Sequence, residues 1–259
     1  MADTHRVSIH KSFCGEKAVS LGSVGHLYIV PFPLSREDNR YWLYPYWHEV
    51  VRQAKHIFVE RAATVRSLLE KAGLAPDVAF HSYDEKLRDW AWESYEMVFG
   101  RKQPAILLSE AGLPGVADPG YQVVQKAHAF DYTVIPLAGP SSITLALAAS
   151  GLPGNRFTFH GYLPLERRPR RRALQAIYQA ARHTTQIFME TPGRQNALLH
   201  TLLTEAPGHL LLCVAHHLTA PSSFVKTRPV SQWEPISLPK APTLFLLGPQ
   251  SESPPPDTR

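Results

Sequence analysis

Cysteine is almost missing from this 259-residue chain: Cys14 and Cys213 are its only two. They lie far apart and match no metal-ligand or redox spacing. This excludes a disulfide-stapled scaffold and a cysteine-based zinc or redox motif, and it points to a reducing compartment. Long hydrophobic runs are missing too. The most apolar stretches, SITLALAAS and HLLLCV, fall short of the ~18 residues that a membrane helix needs. The stretch MADTHRVSIHKSFCGEK at the start lacks the apolar core of a signal peptide. The cytoplasm is therefore the expected location, with no membrane partner. Two common phosphate-binding signatures are absent: there is no G-x-x-x-x-G-K-[ST], and no G-x-G-x-x-G after the first expected strand. A ligand must be held by some other device. No internal repeat is visible.

What is present is a globular composition. Hydrophobic residues make up 44 % and charged residues 19 %, enough apolar surface for a buried core in one large domain or two modest ones. The net charge of +5 weakly favours anionic partners. Strand, loop and helix patterns alternate. GHLYIVPF reads as a buried strand, HIFVE as a short one, and AILLS as a strand apolar on both faces, as central parallel strands are. YTVIPL follows, and then AGPSSITLALAASG, a loop and a helix closed by Gly151. From about residue 140 the pattern starts again with RFTFHGYL, TTQIFME and HLLLCV. SSFVKTRPVSQW and PTLFLLG then follow with no obvious helix between them.

The expected fold class is thus α/β, with two α/β domains. The first has a mostly parallel sheet and the second a mixed one. The expected organisation is an extension over 1–24, an N-terminal domain over 25–139, a C-terminal domain over 140–248 and a disordered tail over 249–259. Trp42, Trp47, Trp90 and Trp92 cluster in the first half and read as core or dimer contacts.

One stretch concentrates backbone punctuation. SEAGLPGVADPG follows the AILLS strand directly, at the carboxyl end where ligands bind in parallel α/β sheets. Glycine lets backbone approach a ligand closely, and proline limits the entropy lost on ordering. Asp118 and Pro119 read as the N-cap and first residue of a helix. AGPSS repeats the device one strand later. Ordinary strand-to-helix turns favour the same residues, so spacing alone leaves both readings open.

The blocks GHLYIVPFP, HSYDEK, LLSEAGLPGVADPGYQVV, IPLAGPSSITLALAASGLPGNRFTFHGYLP and IFMETPGR occur in an order that resembles the tetrapyrrole-methylase superfamily. The closest branch is the small-subunit ribosomal RNA 2′-O-methyltransferase I type, of which the chain looks like a divergent member. The resemblance runs from Gly25 to about Gly248. It implies two α/β domains, S-adenosylmethionine bound in a folded shape in the cleft between them, and a homodimer. Carried over position by position, Ser109, Ala111, Gly112, Pro114 and Asp118 would border the cofactor from the first domain. Pro140, Ser141 and Ser142 would lie at the hinge, and Leu218 and Thr243 on strands that hold the adenine. Glu190 and Arg194 of ETPGR would approach from the second domain. Methyl transfer is an in-line displacement, so such a site mainly aligns donor and acceptor and excludes water.

The chain departs from the family pattern at charged positions. PFPLSR replaces a glycine-containing loop after the first strand. In ERAA, Glu60 is kept, but Arg61 and Ala63 stand where Asp and Arg are usual. SEAGLP carries Glu110 for Asp and Leu113 for Thr. HHLTA puts His216, His217 and Ala220 in place of Arg, Glu and Lys. Glu60, Glu190 and His216 remain as candidates for acid–base catalysis on a poorly nucleophilic hydroxyl; surface or capping roles are the plain alternative for each.

LERRPRRRAL places Arg167, Arg168, Arg170, Arg171 and Arg172 near a helix start, where cations oppose the macrodipole by about 0.3–1 kcal/mol each. A phosphate-rich partner explains them better, and because the branch the chain resembles acts on RNA they are assigned, with Arg194, to RNA contact, a many-carboxylate porphyrinoid being the rival anion and Tyr162 nearby being suited to stacking on an unpaired base. A solvated basic face is the bland alternative. No metal site is expected: adjacent His216 and His217 face opposite ways on a strand, and His81, His128 and His160 have no ligand spacing. The expected activity is S-adenosylmethionine-dependent methylation of ribosomal RNA. The alternatives are a tetrapyrrole-like or other small anionic substrate, and a catalytically lapsed cofactor- or RNA-binding paralogue.

Overall fold

The computed structural model describes residues 25–35, 37, 45–71, 78–83 and 89–250. The expected extension over 1–24, Trp42, the side chains of Trp90 and Trp92, and the tail beyond residue 250 lie outside them. The chain runs β1 (His26–Val30), α1 (Pro45–Gln53), β2 (His56–Val59), α2 (Ala62–Lys71), β3 (Ala79–Ser82), α3 (Asp89–Gly100), β4 (Ala105–Leu108), α4 (Tyr121–Ala129) and β5 (Thr133–Pro136). It continues with α5 (Ser142–Ser150), β6 (Phe157–Tyr162), α6 (Arg167–Ala180), β7 (Thr185–Glu190), α7 (Gln195–Glu205), β8 (Leu211–His216), β9 (Phe224–Pro229) and β10 (Thr243–Gly248).

The first five strands form one sheet in the order β3-β2-β4-β1-β5. Every neighbouring pair is parallel. The AILL run of β4 is buried along its length. Ile106 and Leu108 feed the core on one face, with Val30, Ile57 and Val59. Ala105 and Leu107 feed the other, with Phe58, Tyr95 and Phe99. Trp47 is buried, and its Nε1 donates to the Pro31 carbonyl over 3.0 Å, as a core role requires. His56, at the start of β2, and His81, the third residue of β3, bring Nδ1 and Nε2 to 3.0 Å of each other. Burial, with the neighbouring His56 second, pushes His81 down to about 4.

The other five strands form a second sheet in the order β6-β7-β10-β8-β9. Only β6 and β7 are parallel; β10 runs antiparallel to both β7 and β8, and β9 antiparallel to β8. The turn between β9 and β10 holds a single 3-10 turn, Val230–Gln232, which is why no helix was legible there. Leu174 and Ile177 of α6 and Leu198 and Leu202 of α7 pack on one face with Val214 and Phe245. Ile143 and Ala146 of α5 pack on the other with Ile187, Ala215 and Leu246. By its packing α5 belongs to the second sheet, so the chain crosses between the lobes in the turn after β5.

Two local expectations change. Helix α4 starts at Tyr121 with Gly120 as its N-cap, and no side chain caps it; Asp118 serves the preceding loop instead. His217 is not on a strand: it leaves β8 with φ 49, in the left-handed region. Leu218, expected on a strand, likewise lies in the turn after β8. Among the described residues no helix is long and apolar enough to cross a membrane.

A candidate active site between the two sheets

The loop after β4 is built around its own backbone. Ser109 is buried, and its hydroxyl lies 3.1 Å from the carbonyls of both Ala111 and Gly112. Gly112 adopts φ 74 and pairs with Phe32 of the loop after β1, each amide donating to the other's carbonyl over 2.8–2.9 Å. A side chain there would be strained by its φ and would stand 3.1 Å from Leu34. Asp118 closes the turn, its Oδ1 accepting from the amides of Gly115 over 3.0 Å and Gly120 over 2.7 Å. The Tyr83 hydroxyl lies 2.9 Å from the Leu108 carbonyl and 3.2 Å from Asp118 Oδ2. Burial first, then the Asp118 charge, pushes the Tyr83 phenol well above its usual range and keeps it protonated.

The turn after β5 lies against this loop. A Cβ on Gly139 would collide with Pro31 at 2.4 Å, and the Pro140 carbonyl is 3.7 Å from where a Gly112 Cβ would be. Ser141 is the extended N-cap of α5 and makes no side-chain cap, so the first amides of that helix need partners from elsewhere.

The second sheet supplies the opposite wall from its β7, β8 and β10 ends. Glu190, Thr243 and His216 are cross-strand partners in one row, and each is at most 2 % exposed. Glu190 Oε1 accepts from Arg194 Nε over 3.0 Å, Arg194 Nη2 over 2.5 Å and the Thr191 amide over 2.8 Å. Its Oε2 lies 3.4 Å from Arg170 Nη2. Paired in this way, the buried carboxylate is compensated from two elements. Tyr162 stands at the mouth, half exposed; burial and the Glu190 charge raise its phenol while Arg194 lowers it.

Between these walls is a cleft of about 430 Å³. Ser109, Ala111, Gly112 and Asp118 line it from the first sheet, with Glu60 at the end of β2. Ser141 and Ser142 line it at the crossing, and Glu190, Leu218 and Thr243 from the second sheet. Pro114 and Pro140 are buried beside it and shape the two turns without lining it. His216 is not on the cleft wall; it lines a separate cavity, and His217 takes its place at the cleft. Arg167, Arg168, Arg171 and Arg172 are exposed on α6, while Arg170 turns inward to Glu190. Two departures from the family pattern meet at the rim, where Arg61 Nε lies 3.0 Å from Glu110 Oε1.

Sequence reasoning passed over Met189 and Tyr83, and it named His217 as a departure from the family pattern without counting it among the site candidates. Tyr83 sits in the HSYDEK block, but no local spacing ties it to a carboxylate 35 residues away. Among the described residues, no group of three or more His, Cys, Asp or Glu could hold a metal ion.

The chain resembles known proteins over this whole region. Residues 48–233 match the tetrapyrrole (corrin/porphyrin) methylases. Ribosomal RNA small subunit methyltransferase I of Xylella fastidiosa is 33 % identical over 200 residues, covering 77 % of this chain and 70 % of that protein. Diphthine synthase superposes with a TM-score of 0.64 at 16 % identity, covering 87 % of this chain and 90 % of that one. Uroporphyrin-III C-methyltransferase of Thermus thermophilus, complexed with S-adenosylhomocysteine, superposes with a TM-score of 0.51 at 17 % identity, covering 86 % and 97 %.

Proposed function

The chain belongs to the tetrapyrrole methylase family, a methyltransferase that uses S-adenosylmethionine, and we propose that its methyl acceptor is a ribose 2′-hydroxyl of small-subunit ribosomal RNA. The observation that carries this reading is the meeting of two backbone-rich turns with the strand ends of a second sheet around one cleft of about 430 Å³. That volume falls within the range of small-molecule sites.

The donor set fits the cofactor. When bound, S-adenosylmethionine supplies an electrophilic methyl group on a cationic sulfonium. The carbonyl- and glycine-rich loop of residues 109–120 presents acceptors and no cation of its own to that charge. The α5 N-terminus at Ser141 and Ser142 offers unpaired amides, which suit a carboxylate. Leu218, in the turn after β8, offers main-chain groups for an adenine edge, and Thr243 lines the same wall. Aligning donor and acceptor and excluding water are the chief tasks of the walls.

Of the three acid–base candidates, Glu60 is the one on the cleft wall whose role fits accepting a proton from a hydroxyl. Glu190, bound by two arginines, acts in this reading as an anchor for Arg194 and Arg170. His216 lines a different cavity and is not placed to take that proton. The four exposed arginines of α6 favour a long polyanion over a compact porphyrinoid. A homodimer, implied by the family resemblance, and a cytoplasmic location, expected from the cysteine usage, are part of the same proposal.

The test is methyl transfer from labelled S-adenosylmethionine to purified small ribosomal subunits, followed by nucleoside mass spectrometry. A 2′-O-methylated nucleoside at one position is the expected product. Binding of S-adenosylhomocysteine without any transfer to ribosomal RNA would leave the family standing and remove the substrate.

A further inference from the structure

A second cavity, of about 300 Å³, lies outside the cleft, on the second sheet beside its β9 edge. His216, Phe224, Lys226 and Arg228 line it from the sheet, and Trp233 and Glu234 from the segment that follows β9. The side chains at 224, 226 and 228 alternate onto one face of β9, the face shared with their partners His216, Val214 and Leu212. The cavity is therefore built on regular register.

His216 is the informative group. It is 2 % exposed. Its Nδ1 lies 2.9 Å from Thr243 Oγ1 on β10, to one side of β8. The Thr243 hydroxyl spends its own proton on the Ala241 carbonyl 3.2 Å away, so it can only accept from the histidine. This fixes the proton on Nδ1 and leaves Nε2 as a bare lone pair. Burial, and His217 second, lower the imidazole below its usual range and keep it neutral. Nε2 has no hydrogen-bond partner among the described residues. His216 lines the cavity, and Nε2 is the ring nitrogen that the Thr243 contact leaves without a partner. A buried acceptor without a donor is destabilising, and a ligand in the cavity that carries a hydroxyl or amine would supply the donor.

The other walls say what kind. Lys226 and Arg228 set two cations on one strand face, against the single Glu234. Trp233 is half-buried and pinned by its Nε1, which donates to the Leu212 carbonyl over 3.0 Å, so its ring is a fixed stacking surface. We propose that this cavity is a nucleotide site, in which a ribose hydroxyl or exocyclic amine donates to His216 Nε2, Lys226 and Arg228 hold the phosphate, and Trp233 stacks on the base. The ligand class is a hydroxyl-bearing nucleotide, free or within an RNA strand. The site goes beyond the cleft and holds whether or not ribosomal RNA is the methyl acceptor. Through Thr243, which belongs to both His216 and the cleft wall, its occupancy touches the cofactor site.

The experiment is a titration of ¹⁵N-histidine-labelled protein, saturated with S-adenosylhomocysteine, with adenosine monophosphate, a single-stranded hexaribonucleotide or inorganic phosphate. A saturable shift of the His216 Nε2 resonance with either nucleotide is expected. The Lys226→Gln/Arg228→Gln variant should bind that nucleotide at least tenfold more weakly and S-adenosylhomocysteine as before. Lys226→Gln alone, on the edge strand, serves if the double variant fails to fold. Response to the monophosphate alone identifies a free nucleotide; response to the hexanucleotide, with competition between the two, identifies an RNA strand. No Nε2 shift with either, an equal shift with phosphate alone, or unchanged affinity in the folded variants would overturn the site. Ribosomal RNA left unmethylated in the transfer assay does not move any of these readouts, so the two proposals fail separately.

Discussion

A single carboxylate shapes one wall of the cleft. Asp118 Oδ1 ties together the amides of Gly115 and Gly120, on opposite sides of a turn in which Gly115 and Ala117 both have positive φ. An Asp-Pro pair ahead of an apolar-periodic segment reads as an N-cap because those residues are what helix starts use. Here the chain makes one more turn: the Gln122 amide reaches the Pro119 carbonyl over 3.1 Å, and Gly120 takes the cap. The position of the loop was legible from its glycines and prolines. The use of Asp118 was not, because its third partner, Tyr83, comes from another strand end. Asp118→Ala leaves two partly buried amides without their acceptor and frees the left-handed turn. Urea unfolding should show a loss of about 1–3 kcal/mol, and calorimetry at least a tenfold weaker S-adenosylhomocysteine affinity. Unchanged affinity in the folded variant would mean that the loop does not hold the cofactor.

At the scale of an element, the arginine-rich helix divides in two. The run RRPRRR looks uniform, and a count of charge treats its five arginines alike. The helical period does not: Arg170 falls on the stripe of Leu174 and Ile177, both buried. Its guanidinium is drawn in to Glu190, with the side chain 19 % exposed. The other four remain on the solvent side. The alternation of strands and helices, the parallel first sheet and the mixed second one were all readable from apolar runs and their punctuation. The row Glu190–Thr243–His216 was not, because antiparallel register joins residues from three strands that no local pattern relates. Replacing Arg167, Arg168, Arg171 and Arg172 together with Gln should flatten the log–log salt dependence of RNA binding by about 3, four phosphate contacts at roughly 0.7 each, and leave the melting temperature in place. Arg170→Gln should do the reverse, costing about 1–2 kcal/mol of stability, since the buried carboxylate keeps Arg194 but loses a charged partner. Equal effects of the two variants on salt slope and stability would remove the division.

Across the whole molecule, the cleft is where two independently cored sheets meet. Each sheet has its own clusters of buried side chains on both faces, and the chain crosses between them in the short turn from Pro136 to Ser142. A ligand gripped by only one lobe would stabilise that lobe alone. One gripped by the 109–120 loop, the α5 N-terminus and the ends of β7 and β10 must stabilise both, because opening either wall releases it. At a hundredfold excess over its dissociation constant, S-adenosylhomocysteine should add about 2.7 kcal/mol to the folded state. For a chain of this size that corresponds to a rise in melting temperature of about 5–10 °C. Scanning calorimetry should show one transition, or two drawn together, moving up with ligand concentration. A rise confined to one of two separated transitions would mean that the cofactor sits on one sheet and that the opposing wall, Glu190 and Thr243 included, serves something else.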